Sequence, residues 1–122
     1  MTAVFRVQHK ADGRGPFRPG FTATWSDDAG HILRSTRPSW IDEFGSDAVQ
    51  HGGRPSEHFG SAVAKHADLA NWFSSGERGR LADLGYVCVR VPDARVIAAS
   101  PNQVLFARAK PLTVGVQRVR WP

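Results

Sequence analysis

Apolar and polar side chains alternate at the start of the chain. In AVFRVQH, Val4, Arg6 and Gln8 share one side while Phe5, Val7 and His9 share the other, and this period of two predicts a β-strand over residues 3–9. The pattern stops at KADGRGPFRPG, whose glycines, prolines and aspartate favour turns over regular structure. Phe21 to Trp25 reads as a short strand. Ser26 to Pro55 is a long polar stretch with turn signals at DDAG, RPSW and HGGRP, interrupted by a short predicted helix at Trp40–Phe44. Loops of that length are uncommon in small domains and are often functional or mobile.

The period then changes to that of a helix. In GSAVAKHADLANWFSSG, Val63, His66, Ala67, Ala70 and Phe73 form an i, i+3, i+4, i+7 stripe with Leu69 and Trp72 beside it, which predicts the main helix. Ser61 stands where an N-cap is wanted, and Ser74-Ser75-Gly76 supplies a stop. Glu77 to Leu84 predicts a second, short helix closed by Gly85 and weakened by Gly79. After it the pattern is β. YVCVRV alternates, Pro92-Asp93 turns, RVIAA follows, and Ser100-Pro101-Asn102 turns again before QVLFAR and LTVGVQRVRW. The expected fold class is therefore α+β, a small antiparallel or mixed sheet with one main helix and a short second one. A doubly wound parallel sheet would need strands and helices to alternate.

Composition narrows the picture. At 122 residues the chain is sized for a single domain, 1–122, and with 41% hydrophobic residues it is not a disordered composition. No apolar run approaches the roughly 18 residues of a membrane span, and MTAVFRVQHK lacks a basic-then-apolar leader, so the expected location is cytoplasmic. The lone Cys88 excludes an internal disulfide and a multi-thiolate zinc site. The net charge of +5 is unevenly placed, because acids and bases cancel up to Gly85. Beyond it Arg90, Arg95, Arg108, Lys110, Arg118 and Arg120 face only Asp93. A basic face of this kind suits phosphates, nucleic acid or an acidic partner, and equally a solvated sheet edge.

Several chemistries find no support. His58 and His66 miss the i, i+4 spacing of a helical zinc pair, so no metal is expected. There is no G-x-S-x-G, and Cys88 between two valines in YVCVRV reads as a small buried thiol. GRGPFRPG has glycines, yet no G-K-[ST] follows.

One ordered set of features remains: Arg6 and His9 on the first strand, HFGSA leading to Trp72-Phe73, the strand GYVCVRV, and Gln103-Val104-Leu105-Phe106 after a Pro-Asn turn. This order resembles the compact ADP-ribosyltransferase-like fold, in particular its small phage and prophage forms. The resemblance implies a cleft for NAD or ADP-ribose, NAD being a substrate. It implies that Arg6 or His9 contacts the nucleotide, that Phe59 and Ser61 shape the nicotinamide pocket, and that Gln103 stands at the position of the family's catalytic glutamate. Glutamine carries no charge to stabilise an oxocarbenium-like sugar, so turnover would require Glu57 or Asp93 to reach the site.

The same residues have plainer roles. Arg6 can snorkel from a half-buried strand, Phe59, Trp72 and Phe73 are ordinary core aromatics, His66 suits a satisfied core position, and Gln103 can cap strand backbone. The competing class is a non-enzymatic phage-type binding protein, such as an inhibitor of host defence (anti-CRISPR proteins among them). It would act on a macromolecular partner, protein or nucleic acid, through its basic C-terminal surface. The Arg/Trp mixture of VQRVRWP would supply phosphate contacts and a stacking ring. Against sequence-specific reading of DNA, there is no helix-turn-helix signature.

Overall fold

The computed structural model describes residues 2–15, 44–45, 52–73 and 75–122. The strand expected at Phe21–Trp25, the helix at Trp40–Phe44 apart from Phe44, and most of the Ser26–Pro55 stretch lie outside the described residues. The elements in order are β1 (Thr2–His9), β2 (His58–Ala62), a 3-10 helix (His66–Asn71), α1 (Ser75–Asp83), β3 (Tyr86–Ala99), β4 (Val104–Arg108) and β5 (Gln117–Arg118).

Every strand pairing is antiparallel, in the order β1-β3-β4-β2, with β5 added to β3. Expected as two strands, residues 86–99 form one. Asp93 does adopt a turn conformation, with φ of 59°, but the chain bulges there instead of reversing. Opposite it the register slips, from Thr2↔Ala94 to Val4↔Val91, and a second slip lies between Val96 and Ala98. Bulges bend and twist a strand, and this bending lets the first half of β3 pair with β1 and the second half with β4. The sheet curls until its far edge returns to β1, where Phe5 and Val63 exchange both backbone hydrogen bonds at 2.8 Å. The strand expected in LTVGVQRVRW is reduced to Gln117–Arg118, because Leu112 to Gly115 turns and Gly115 has φ of 69°.

The two faces of the sheet carry separate cores, as the alternation in β1 and β3 dictates. Val4, Val89 and Val91 point to a core shared with Ala62, Ala94, Val104 and Phe106. Val7, Tyr86 and Cys88 point the other way, to Leu69, Trp72, Phe73 and Leu81 of the helical layer.

The predicted main helix over Val63–Phe73 is not there. HFGSA is a strand, so Ser61 is no N-cap, and the helical part is six residues of 3-10 geometry. The period of the segment accounts for the difference. His66, Leu69 and Trp72 recur every three residues, which is one turn of a 3-10 helix. Leu69 and Trp72 are buried, and His66 is half-buried, its Nε2–H donating to the Arg120 carbonyl at 2.6 Å. Ala67 and Ala70, which an α-helix would have turned inward, are exposed. The second helix is where it was expected. Leu81 is fully buried against β3, and Gly85, at φ of 91°, ends the helix in the left-handed conformation that glycine adopts at low cost.

Candidate functional site

Antiparallel pairing through Phe5↔Val63 would continue to Val7↔Ser61 and His9↔Phe59, but the bridge lies at Val63, one residue past β2, and no bridge joins β1 to β2 itself among the described residues. A cleft of about 200 Å³ opens in the seam. Its polar lining includes Arg6, Arg14, Ser61 and Gln103, and Leu69, Trp72 and Phe73 form an apolar wall.

Arg6 is the unusual group. It is only 5% exposed, and burial pushes its guanidinium down to about 10. Nη1 donates to Gln8 Oε1 at 3.2 Å and to the Gly13 carbonyl at 3.1 Å, while Nε has no partner. The Phe106 ring lies 5.7 Å below the guanidinium carbon, a favourable cation–π distance. Among the described residues no carboxylate is paired with it. Sequence makes room for this group: a Cβ on Gly60 would come within 3.0 Å of Nη1, and one on Gly15 within 3.2 Å of Nη2. Gln8 is itself buried and donates Nε2 to the Leu112 carbonyl at 2.9 Å, which fixes the oxygen that receives Arg6.

Of the residues singled out from the sequence, Arg6, Phe59, Ser61 and Gln103 line the cleft, whereas His9 and Glu57 are not in its lining. Nδ1 of His9 accepts from the Ala11 N–H at 3.1 Å, which leaves Nε2 to donate to the Leu84 carbonyl at 3.1 Å. The ring also meets Tyr86 edge to face at 5.2 Å. His9 thus ties the end of β1 to the end of α1. Glu57 is held by Arg95 in an ion pair and accepts from the Arg54 N–H at 2.7 Å; the Arg95 bond holds its carboxyl below the ordinary range. Asp93, the remaining late acid, is exposed at its bulge. Gln103 is buried directly before β4, and its backbone is fixed by Ser100, whose N–H donates to the Gln103 carbonyl at 2.9 Å.

Arg14 and the glycines at 13, 15 and 60 went unnoticed as site residues. A signal for them was present, since glycines beside a strand arginine leave space that a guanidinium can fill. Arg14 is half-buried and pairs with Asp12 at 2.8 Å. Cys88 offers no nucleophile: it is buried, and burial pushes its thiol up to about 11. Among the described residues no group of three or more His, Cys, Asp or Glu could hold a metal ion, and no helix is long and apolar enough to cross a membrane.

Fold and cleft together define a small α+β protein with a cleft of about 200 Å³ in a curled antiparallel sheet. The chain belongs to a bacteriophage family, described as Bacteriophage T4 Y00F protein, which matches residues 1–120. No curated protein and no solved structure matches it. The phage character expected from the sequence stands at the level of this family, and nothing in the comparisons points to an ADP-ribosyltransferase-like fold.

Proposed function

We propose that this protein works by binding and not by a chemical step, and that the seam cleft is its ligand site. One observation carries the reading: a buried guanidinium shares the cleft with an aromatic wall, and no described lining residue is a carboxylate. A buried charge is costly unless it is paired, so an anionic group on a ligand would relieve Arg6 while its apolar part met Leu69, Trp72 and Phe73. Cleavage of NAD needs an anion close to the developing ribose cation. Gln103 is neutral, and Glu57 is engaged by Arg95 away from the cleft. In the nucleotide version of this reading, Arg6 and Arg14 face the phosphates of NAD or ADP-ribose, and Ser61 and Phe59 border the bound ring. The volume suits one end of such a molecule, since clefts that enclose drug-sized ligands run to about 300–1,000 Å³.

The test is a thermal-shift panel of NAD, ADP-ribose and small carboxylates on the full chain, with nicotinamide release measured in parallel. The expected result is stabilisation by an anionic ligand that Arg6→Gln removes, without release of nicotinamide. Release that depends on Gln103 or Glu57 would overturn it.

A second reading, a macromolecular partner on the basic C-terminal surface, is favoured by a different observation. Lys110, Arg118 and Arg120 are exposed. They are a reduced set, because Arg108 is buried and Arg95 is taken by Glu57.

A further inference from the structure

A groove that shares no lining residue with the seam cleft opens on the face of the sheet that carries Gln8. Strand register dictates its make-up, because residues paired across an antiparallel ladder project to the same face. Gln8 pairs with Val87 on β3, and Val89, two residues on, pairs with Arg118 of β5, so these four share one face. Lys10 is two residues past Gln8, and its N–H on the Gly85 carbonyl keeps it beside the start of β3. The turn after β4 borders the groove with Thr113 and Val116. Gln8 holds that turn in place, its Nε2 donating to the Leu112 carbonyl at 2.9 Å. The result is a hollow of about 200 Å³ with Val87, Val89 and Val116 on its apolar side. Lys10, Thr113 and Arg118 are exposed, so its mouth is open to solvent. Among the described residues no carboxylate engages Lys10 or Arg118, and none lines the groove. Asp12, close to Lys10 in sequence, is turned to Arg14, whose Nη1 donates to it at 2.8 Å.

We infer that this groove binds a phosphate monoester, with the phosphate between Lys10 and Arg118 and the carbon group it esterifies against the three valines. The inference stands independently of the seam reading. Two cations that no acid neutralises suit a ligand with more than one charge, and a monoester carries about −1.5 to −2 at pH 7. Lysine meets phosphate as a point charge and arginine through its fork. The Thr113 hydroxyl and the second hydrogen of Gln8 Nε2 are further donors for phosphate oxygens. Clefts that enclose whole drug-sized ligands run to about 300–1,000 Å³. A hollow of about 200 Å³ holds an end group, not a chain running through it.

The experiment titrates the full chain, isotope-labelled, with phenyl phosphate, with dimethyl phosphate as the singly charged diester, and with inorganic phosphate, following backbone amide shifts. A short thymidylate is titrated with and without a 5′-phosphate. Phenyl phosphate is expected to shift the amides of Lys10, Val87, Val89 and Thr113. It should bind roughly tenfold or more tightly than dimethyl phosphate, the scale of a hydrogen bond to a charged group, and more tightly than inorganic phosphate, which has nothing to set on the valines. Lys10→Gln and Arg118→Gln should each weaken phenyl phosphate by about tenfold, and both residues are exposed, so the fold should hold. Lys65→Gln removes an equal charge from an exposed residue outside the groove and should leave affinity within about twofold. Tighter binding of the 5′-phosphorylated thymidylate than of phenyl phosphate assigns the monoester to the end of a nucleic acid, and the reverse order assigns it to a small molecule. Equal binding of phenyl, dimethyl and inorganic phosphate overturns the inference. So does an equal loss in all three variants, which is attraction to net charge alone. Thymidylate that binds alike with and without its 5′-phosphate, and more tightly than phenyl phosphate, overturns it and leaves the basic surface standing. If no probe shifts the groove amides, the inference falls and the seam reading is untouched.

Discussion

Arg6 is stable in its position because neighbours lack side chains. Its guanidinium lies flat where a Gly60 Cβ would be only 3.0–3.2 Å away, and it is held there by Gln8 and the Gly13 carbonyl. Gly60→Ala should therefore push a restrained, buried group, and a destabilisation of about 1–3 kcal/mol is expected from such overpacking. A lowered urea midpoint checks it, and an unchanged midpoint would show that the guanidinium swings freely. The other ion-bearing residue near β2 behaves differently. Glu57 has its carboxyl held below the ordinary 4.5 by the hydrogen bond from Arg95. A depressed carboxyl contributes stability that is complete above its unfolded value and is lost as pH falls through its folded value. The melting temperature of the wild type should thus fall on acidification from pH 5, and Glu57→Gln should flatten part of that fall. Asp12, depressed by the Arg14 backbone and side chain, would account for acid sensitivity that remains.

At the level of elements, local chemistry was legible where one rule applied and misleading where two shared a pattern. The alternation of AVFRVQH gives β1, and a glycine at the end of GERGRLADLG gives the end of α1. HADLANWF fits both helix types, because i, i+3 neighbours occur in both; the bonds from the Asp68 N–H to the Lys65 carbonyl and from the Trp72 N–H to the Leu69 carbonyl, with the exposure of Ala67 and Ala70, separate them. The candidate site divides similarly. Arg6, Phe59, Ser61 and Gln103 could be named in advance, but the seam that unites them depends on the bulges of β3 and on one bridge between residues 58 apart in sequence, which no local pattern encodes. Two pairs of substitutions test these assignments by the urea midpoint. Leu69→Ala should cost about 2–5 kcal/mol as a core truncation, whereas Ala70→Ser on the exposed side should stay within about 0.5 kcal/mol. Comparable losses would restore the α-helical face. In α1, Gly79 has open space around its missing Cβ, so Gly79→Ala should stabilise by about 0.5–1 kcal/mol. Gly85→Ala should do the opposite, since φ is 91° and the new Cβ would lie 2.8 Å from His9 Nε2.

For the whole molecule, the charge distribution offers two kinds of place for an anion, and ionic strength tells them apart. The net charge is +5, and its excess is concentrated beyond Gly85. Folding redistributes it: Arg108 goes inside with Nη2 on the Val114 carbonyl at 2.7 Å, Arg95 meets Glu57, and Arg90 meets Gln117 at 3.4 Å. Lys110, Arg118 and Arg120 remain exposed, with Lys10 near Arg118 along a shallow groove. Fields from such groups reach little beyond the Debye length, about 8 Å at physiological salt and nearer 3 Å at 1 M. Any oligonucleotide held by them must release counterions as salt rises, so its affinity should fall steeply, by powers of ten for several phosphate contacts. Arg6 is 5% exposed and lies in a cleft walled by apolar side chains, where screening by salt is weak. A ligand anion docked on it should lose only a few-fold in affinity from 50 mM to 500 mM salt. Measuring both in one preparation, a fluorescent oligonucleotide by anisotropy and a cleft ligand by Trp72 indole shift, gives two slopes. A shallow slope for the cleft ligand, abolished by Arg6→Gln, assigns anion recognition to the buried guanidinium. If the cleft ligand weakens as steeply as the oligonucleotide, binding belongs to the exposed basic surface, and the seam is packing rather than a site.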